Sequence, residues 1–372
     1  MNSEISQFSS AEQYLEGLGL ATFLAREDVT DIFINQPGEI FVETLEKTDR
    51  IVSEKLSYPA LNALARTLCR ANNLNFSAST IHSVVLPQGE RGQIILPPAV
   101  EEGTLAFAIR KPSEKRISLE KWLESGRLSH FDNKSDIAFW QKYQKDPQLK
   151  NEIRLGQTEK ELLALTTSGR TEDFVKALKI FIDEHLNIVL VGATGSGKTM
   201  FSRALADMID PNERIITIED VHELDLPYHR NCLHLLHKEG VVSAHDLLFA
   251  CMRLKPKRIL ITEIRSEVAW DYITALNTGH PGGITSVHAN SAPDVFNRIA
   301  TLAKESETAK NLDYDFLLNT AKATIDVILF FEKTHLKEIY YNPYQTKRAK
   351  HCLLYTSPSP RDRTRPRMPS SA

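Results

Sequence analysis

Short apolar runs, bounded by turns, surround one amphipathic helix in the first hundred residues of the chain. β-Branched and aromatic residues favour strands, and Pro and Gly mark turns such as the one at 36–38. The helix is predicted where Leu61, Leu64 and Leu68 recur on one face. The predicted elements are strands at 29–34, 40–43, 93–96 and 105–110 and a helix at 57–71. This pattern predicts a small α+β N-terminal domain over residues 1–110.

From about residue 158 the pattern changes to short, mainly apolar runs separated by amphipathic segments such as 174–184. Continuous apolar runs of this length are typical of parallel strands that are covered on both faces. The runs are 187–191, 214–218, 258–261 and 284–287, and 325–331 with 336–341 predict a closing hairpin. Alternating helices and buried strands indicate an α/β fold with a mainly parallel sheet, which we assign to residues 158–351.

Two stretches lack this patterning. Residues 111–157 begin with Lys-Pro-Ser, are highly charged from 129 to 151, and predict a charged linker. Residues 352–372 are rich in Pro, Ser and Arg and have few apolar residues, which predicts disorder. This segment also resembles translated sequencing-adapter read-through, so we interpret it as a non-native tail. A basic interaction tail is the alternative.

Composition supports a two-domain globular protein of 372 residues, with 42% hydrophobic and 25% charged residues. No apolar run approaches the roughly 20 residues needed to span a bilayer, and the polar, acidic N-terminus is unlike a secretory signal. The four cysteines form no CxxC pair, which argues against a zinc module and favours the reducing cytoplasm. The net charge of −3 includes +3 from 352–372, so the remainder is acidic at −6. We therefore expect no direct sequence-specific nucleic-acid binding.

One segment carries specific chemistry, because residues 187–205 combine a strand, a glycine-rich loop and a helix. Gly192 to Thr199 match GxxxxGK[ST] in full, the phosphate-binding loop (P-loop) of ATPases. Backbone N–H groups of such a loop surround phosphates, Lys198 can reach the β- and γ-phosphates, and the Thr199 hydroxyl can hold Mg²⁺. The predicted ATP-binding residues here are Gly192, Thr194, Gly195, Ser196, Gly197, Lys198 and Thr199.

Carboxylates follow two of the predicted strands. Glu263 comes just after the run at 259–261, where it can hold Mg²⁺ or orient water, although a surface ion pair with Arg265 explains it equally well. Glu219, with Asp220 and Glu223, follows another strand and suits metal and water coordination. A solvated acidic turn capping a helix is the alternative for this second group.

Two histidines, His280 and His288, flank the predicted strand at 284–287. A neutral imidazole at the strand end, at His288, can sense a γ-phosphate or position water. A metal pair is disfavoured, since no third ligand lies at zinc spacing. A buried, hydrogen-bonded structural role is an equal alternative for His280.

Together, these segments resemble the secretion ATPase superfamily, which includes type II secretion, type IV pilus and type IV secretion motors. RIITIEDVHEL (214–224), TEIR (262–265), the histidine segment 277–291 and FAIRKPS (107–113) are most similar to the type IV secretion and conjugation branch. The resemblance covers residues 12 to 345. It departs from the family at Lys257, where an Asp is common, and at Ser266, where Gly or Asp is usual.

The resemblance implies a homohexameric ATPase whose subunits pair an N-terminal domain with a RecA-like domain and bind ATP between them. It implies inner-membrane secretion channel and coupling proteins as partners, and peripheral association with the cytoplasmic face of the inner membrane. Arg110 would contact the γ-phosphate, with Arg91 a weaker choice, and Thr199 and Glu263 would hold the metal. The implied catalytic residues are Glu263 as the Walker B acid, Glu219 and Glu223 of the acidic box, and His288 of the histidine box.

Three functions stay open at this point. The first is a motor for type IV secretion or conjugation, and the second is a type IV pilus or type II secretion motor, whose type II branch is disfavoured by the missing tetracysteine module. The third is a nucleotide-dependent scaffold with little hydrolysis, against which Glu263 argues. The transported substrate, DNA or protein, is not predicted, nor is whether an N-terminal domain covers its own ATP site or a neighbour's.

Overall fold

The computed structural model describes residues 4–44, 46–111, 116–238 and 241–356. The chain divides into two compact units, Met1–Glu114 and Lys115–Ala372. Most of the predicted tail, from residue 357 onward, lies outside the described residues, whereas 352–356 belong to the last helix. Among the helices of the described ranges, none has both the length and the apolar character required to cross a membrane.

The first unit contains an antiparallel sheet with helices packed against it. Its elements are α1 Glu4–Gly17, α2 Leu20–Leu24, β1 Val29–Ile34, β2 Glu39–Thr44, β3 Thr48–Val52, α3 Tyr58–Ala71, β4 Ile81–Val85, β5 Arg91–Ile95 and β6 Ala106–Arg110. The strand order is β3-β2-β1-β6-β5-β4. The predicted helix and strands are confirmed, but β3 and β4 were missed. The residues of β3 are all exposed or half-buried, so this strand lacks the apolar alternation that reveals a strand in sequence.

The second unit is built on a larger sheet in the order β10-β9-β11-β12-β8-β13-β14-β7. Its strands are β7 Asp132–Asn133, β8 Ile188–Val191, β9 Ile215–Glu219, β10 Cys232–Leu236, β11 Arg258–Ile261, β12 Ile284–Val287, β13 Val327–Glu332 and β14 His335–Tyr341. Its helices are α4 Leu119–Glu124, α5 Ile137–Lys145, α6 Pro147–Glu152, α7 Gln157–Thr167, α8 Thr171–Asp183, α9 Lys198–Ala206, α10 Ala244–Arg253, α11 Ser266–Asn277, α12 Asp294–Glu305, α13 Tyr314–Thr324 and α14 Pro343–Thr356. The run from β10 to β13 is parallel, and β13 and β14 form the predicted antiparallel hairpin.

Burial on both faces explains why β8 is wholly apolar and the parallel strands β9 and β11 are mainly apolar. Ile188 and Leu190 of β8 enter one hydrophobic cluster, whereas Val189 and Val191 enter the other. Side chains alternate across a strand, so a sheet covered by helices on both sides favours apolar residues on both faces of each strand. The mainly parallel α/β fold is therefore confirmed, and the carboxyl ends of the parallel strands meet at one edge, where ligands bind in such folds.

The structure differs from the predicted linker at 111–157. Helices α4, α5 and α6 and strand β7 all come from this segment, and β7 pairs with β14. Trp122, Trp140 and Tyr143 are buried in the core of the second unit. The segment has few apolar residues, but they are large and inward-facing, while its charged residues cover the outer surface. A count of charged residues therefore underestimates how much surface this segment buries.

Candidate nucleotide-binding site

The P-loop connects the end of β8 to the start of α9. Gly192 has φ 145°, and a Cβ there would lie 2.2 Å from the carbonyl oxygen of Phe331, so this position requires glycine. Gly195 and Gly197 also have positive φ, at 75° and 90°. The backbone therefore adopts the tight turn that places N–H groups at the helix N-terminus, the arrangement that binds anions.

Lys198 lies against this loop and is only 9% exposed. Its Nζ donates hydrogen bonds to the carbonyl oxygens of Gly192, at 2.7 Å, and Ala193, at 2.8 Å. Burial lowers the pKa of the Lys198 ammonium to about 8, although the negative charge of Glu263 opposes this shift. The Ser196 hydroxyl is buried and has no hydrogen-bond partner among the described residues. A buried cation and an unpartnered donor in one loop fit the phosphates of a nucleotide.

A cavity of about 570 Å³ opens beside the loop. Its lining residues are Gly192, Ala193, Thr194, His288, Ala289, Asn290, Asp294 and Arg298. The structure therefore brings His288 to the P-loop, as the sequence predicted. Arg298 was missed, because it lies ten residues further along the chain on α12 and belongs to no phosphate-binding motif.

Glu263 follows β11 and lies between two charged or ionisable side chains. Its Oε1 is 3.4 Å from His288 Nε2, and its Oε2 accepts a hydrogen bond from Arg265 Nη2 at 3.1 Å. Arg265 Nη2 also lies 3.5 Å from Asp220 Oδ2. Glu263 thus forms the predicted ion pair with Arg265 and also lies close to His288, while its role toward metal or water stays a prediction.

Glu219 ends β9 and is fully buried. Its Oε1 accepts a hydrogen bond from Thr217 Oγ1 at 2.6 Å, and its Oε2 accepts from the backbone N–H groups of Glu223 and Leu224, both at 2.7 Å. Burial opposes ionisation, but the nearby His234 side chain and the hydrogen bonds from Thr217 and these N–H groups outweigh it and hold the pKa of Glu219 below its usual range. The carboxylate therefore holds the segment 219–224, which we call the acidic turn. Full burial of Glu219 rules out a solvated turn at this residue.

The other predicted site residues are more dispersed. Thr199 is half-buried on the first turn of α9. The backbone carbonyl of Glu223 accepts a hydrogen bond from Arg203 Nε at 2.7 Å, and neither Glu219 nor Glu223 lines the cavity. His280 precedes β12, at the opposite end of that strand from His288, so the two histidines form no metal pair.

Arg110 belongs to the first unit, where it ends β6. Its Nε donates a hydrogen bond to Asp31 Oδ1 at 2.8 Å, and its side chain is 50% exposed. Arg91 is its cross-strand neighbour on β5. The first unit thus presents two neighbouring guanidinium-bearing positions, and their contact with a nucleotide stays a prediction.

A P-loop at the carboxyl edge of a mainly parallel sheet, with an acid and a histidine at adjacent strand ends, defines a RecA-like P-loop ATPase. A model of the family described as "Type II/IV secretion system protein" matches residues 148–330. The type IV secretion system protein VirB11 of Brucella suis biovar 1 is 34% identical over 362 residues, covering 93% of each chain. The chain therefore belongs to the VirB11 family of type IV secretion ATPases, within the secretion ATPase superfamily.

Further comparisons agree with this assignment. The type IV secretion system protein PtlH of Bordetella pertussis is 33% identical over 321 residues, covering 84% of this chain and 88% of PtlH. The crystal structure of the Brucella suis VirB11 ATPase in complex with sulphate is 32% identical, with a TM-score of 0.51, and covers 94% of this chain and 100% of that one. The pilus retraction motor PilT with bound ADP shares the fold, with a TM-score of 0.55, 91% and 87% coverage and 15% identity. The chain is thus a nucleotide-binding ATPase of type IV secretion.

Proposed function

We propose that the site at the P-loop hydrolyses Mg²⁺-ATP and that a homohexamer uses this turnover to drive substrate translocation or pilus biogenesis in type IV secretion. The observation that carries the proposal is the placement of Glu263 within 3.4 Å of His288, which lines the same cavity as the P-loop. Hydrolysis needs a phosphate cradle and a carboxylate side by side, and both are present at one sheet edge.

The P-loop is proposed to bind and orient the phosphates of the nucleotide. Its backbone N–H groups and the Ser196 hydroxyl are proposed to donate hydrogen bonds to phosphate oxygens. The Lys198 ammonium is proposed to leave the loop carbonyls and bind the β- and γ-phosphates when the nucleotide is present. Thr199 and Glu263 would hold Mg²⁺, whose charge offsets that of the phosphates. Buried donors suit this task because they need little reorganisation when charge develops in the transition state.

Glu263 and His288 are proposed to act on the attacking water and the γ-phosphate. Glu263 is 30% exposed, so its carboxylate can accept a hydrogen bond from water while Arg265 fixes its orientation. His288 is 42% exposed at the end of β12 and faces the cavity. Glu219 and Glu223 are proposed to support the site through the acidic turn, and Arg110 stays a predicted γ-phosphate contact.

The proposed partners follow from family membership. We expect a homohexamer that works with inner-membrane secretion channel and coupling proteins and associates peripherally with the cytoplasmic face of the inner membrane. A type IV pilus or type II secretion motor is the alternative, and PilT is similar in fold at only 15% identity.

Single-turnover hydrolysis of ATP by the full chain tests the proposal. Lys198→Ala should lose nucleotide binding, while Glu263→Gln should bind ATP normally and hydrolyse it at least about 100-fold more slowly. Glu307→Gln is the matched control, since Glu307 is 86% exposed and should change neither property. Equal rates for the parent and Glu263→Gln would remove Glu263 from the mechanism. A parent that binds ATP without hydrolysing it would favour the scaffold.

A further inference from the structure

A second cluster of ionisable side chains lies at the end of β9, around the buried Glu219. His222 comes from the acidic turn, and His234 comes from the neighbouring edge strand β10. The Nδ1 atoms of His222 and His234 lie 3.6 Å and 3.4 Å from Glu219 Oε1. One potential ligand atom from each of the three residues lies within 4.8 Å of the others. None of these atoms lines the cavity beside the P-loop.

The distances from the two Nδ1 atoms to Glu219 Oε1 are similar to those between ligand atoms around a metal ion. Separations of 3.4 and 3.6 Å are longer than the usual hydrogen bond between a nitrogen and a carboxylate oxygen. Two ligand atoms bound tetrahedrally at 2.0–2.1 Å from a zinc ion lie about 3.4 Å apart. The two imidazole rings meet edge to face with their centroids 4.3 Å apart, so a nitrogen of each is able to approach one point.

We propose that Glu219, His222 and His234 bind a divalent transition-metal ion of the Zn²⁺ class at a site separate from the nucleotide. Two imidazoles and one carboxylate are a donor set that Zn²⁺ accepts, whereas Mg²⁺ prefers oxygen ligands alone. Neither the cysteine spacing nor the pair His280 and His288 points to this site, since its ligands come from separate strands.

Hydrogen bonds to the Glu219 carboxylate fix its orientation, as a metal ligand requires. Backbone N–H groups of Glu223 and Leu224 hold Oε2 at 2.7 Å each, which fixes the carboxylate, while Oε1 accepts a hydrogen bond from Thr217 and also faces the two histidines. Such outer contacts orient ligands in metal sites. His234 Nδ1 lies 2.9 Å from Thr217 Oγ1, so the ion would replace that contact.

The solvent exposure of His222 and His234 leaves room for a further ligand on the metal ion. His222 is 46% exposed and His234 is 25% exposed, whereas Glu219 is fully buried. The site is therefore closed on the protein side and open to solvent on the other, so an ion would exchange with solution and keep a water molecule as its fourth ligand.

Metal binding would restrain the acidic turn. The ion would join Glu219, at the start of that turn, to His222 within it and to β10 beside it. Asp220 of the same turn lies 3.5 Å from Arg265, which is 3.1 Å from Glu263. A chain of contacts thus links the proposed metal site to the acid beside the P-loop.

Competition between the full chain and a chromogenic chelator for Zn²⁺, in excess Mg²⁺ and without nucleotide, tests the proposal. We expect one tight equivalent of Zn²⁺ per chain, and with Co²⁺ the visible absorption of a four-coordinate or five-coordinate site. Because His222 is exposed, His222→Gln should leave the fold intact and weaken Zn²⁺ binding at least about 100-fold. His234→Gln should do the same.

His335→Gln is the matched control, since it removes another exposed histidine and should leave Zn²⁺ affinity unchanged. Circular dichroism of each variant verifies folding. Unchanged Zn²⁺ affinity in folded His222→Gln, or no stoichiometric Zn²⁺ binding by the parent, would overturn the proposal. Neither outcome depends on ATP hydrolysis, so the experiment tests the metal site independently of the proposed function.

Discussion

Raising the pH from 7 to 9 is expected to weaken nucleotide binding about tenfold through Lys198. Burial lowers the pKa of this ammonium to about 8 in the nucleotide-free protein, against a usual value of 10.5. Phosphates favour the charged form, so the pKa of Lys198 should rise when a nucleotide binds. Below pH 8 the ammonium is charged in both states, and affinity is constant. Above pH 8 the free protein must take up a proton to bind, so affinity falls about tenfold per pH unit.

Titration of a fluorescent ADP analogue between pH 6.5 and 9.5 measures this profile. Calorimetry in two buffers of different ionisation enthalpy should find an uptake of about 0.9 proton per nucleotide at pH 9 and about 0.1 at pH 7. Lys198→Arg is the control, because a guanidinium stays charged throughout this range and its profile should be flat. A flat profile for the parent, or equal slopes for both proteins, would refute the assignment of the titrating group to Lys198.

Two further predictions concern stability and are measured by urea unfolding. Gly192→Ala should destabilise the second unit and abolish nucleotide binding, because its Cβ would lie 2.2 Å from a backbone carbonyl oxygen of β13. Gly195→Ala is its matched control, because it has positive φ but its new Cβ would meet no described residue within 4 Å beyond its chain neighbours, and it should cost only about 1–2 kcal/mol. Trp122→Ala should cost about 3–5 kcal/mol, because the indole is fully buried in the core of the second unit. A loss below about 1 kcal/mol would instead support a linker at 111–157.

Local sequence patterns predicted the parts of the site that lie on single elements. The P-loop could be predicted because strand, loop and helix are contiguous and the glycine positions follow from backbone geometry. Glu263 and His288 could be placed at strand ends because a short apolar run precedes each of them. Their proximity follows once the strands are parallel and adjacent, and β11 pairs with β12.

Contacts between distant segments could not be predicted in this way. The edge strand β10 contains the polar residue His234 at its centre and is nowhere fully buried, so its sequence does not resemble that of the buried strands. Its pairing with β9 places His234 opposite Thr217 and next to Glu219. Nothing in the segment from Thr217 to His234, which are 17 positions apart, specifies this register, which depends on packing of the whole sheet.

The two strand-end glutamates differ in how their oxygens are held, and this difference separates their roles. Backbone N–H groups hold one oxygen of the fully buried Glu219, so moving its carboxylate would disrupt the acidic turn. Glu263 is partly exposed and contacts the side chains of Arg265 and His288, which can rotate when phosphates bind. Two carboxylates in unlike environments suit different tasks. Glu263 is therefore the better placed to act on water, and Glu219 the better placed to fix the turn whose Asp220 reaches Arg265.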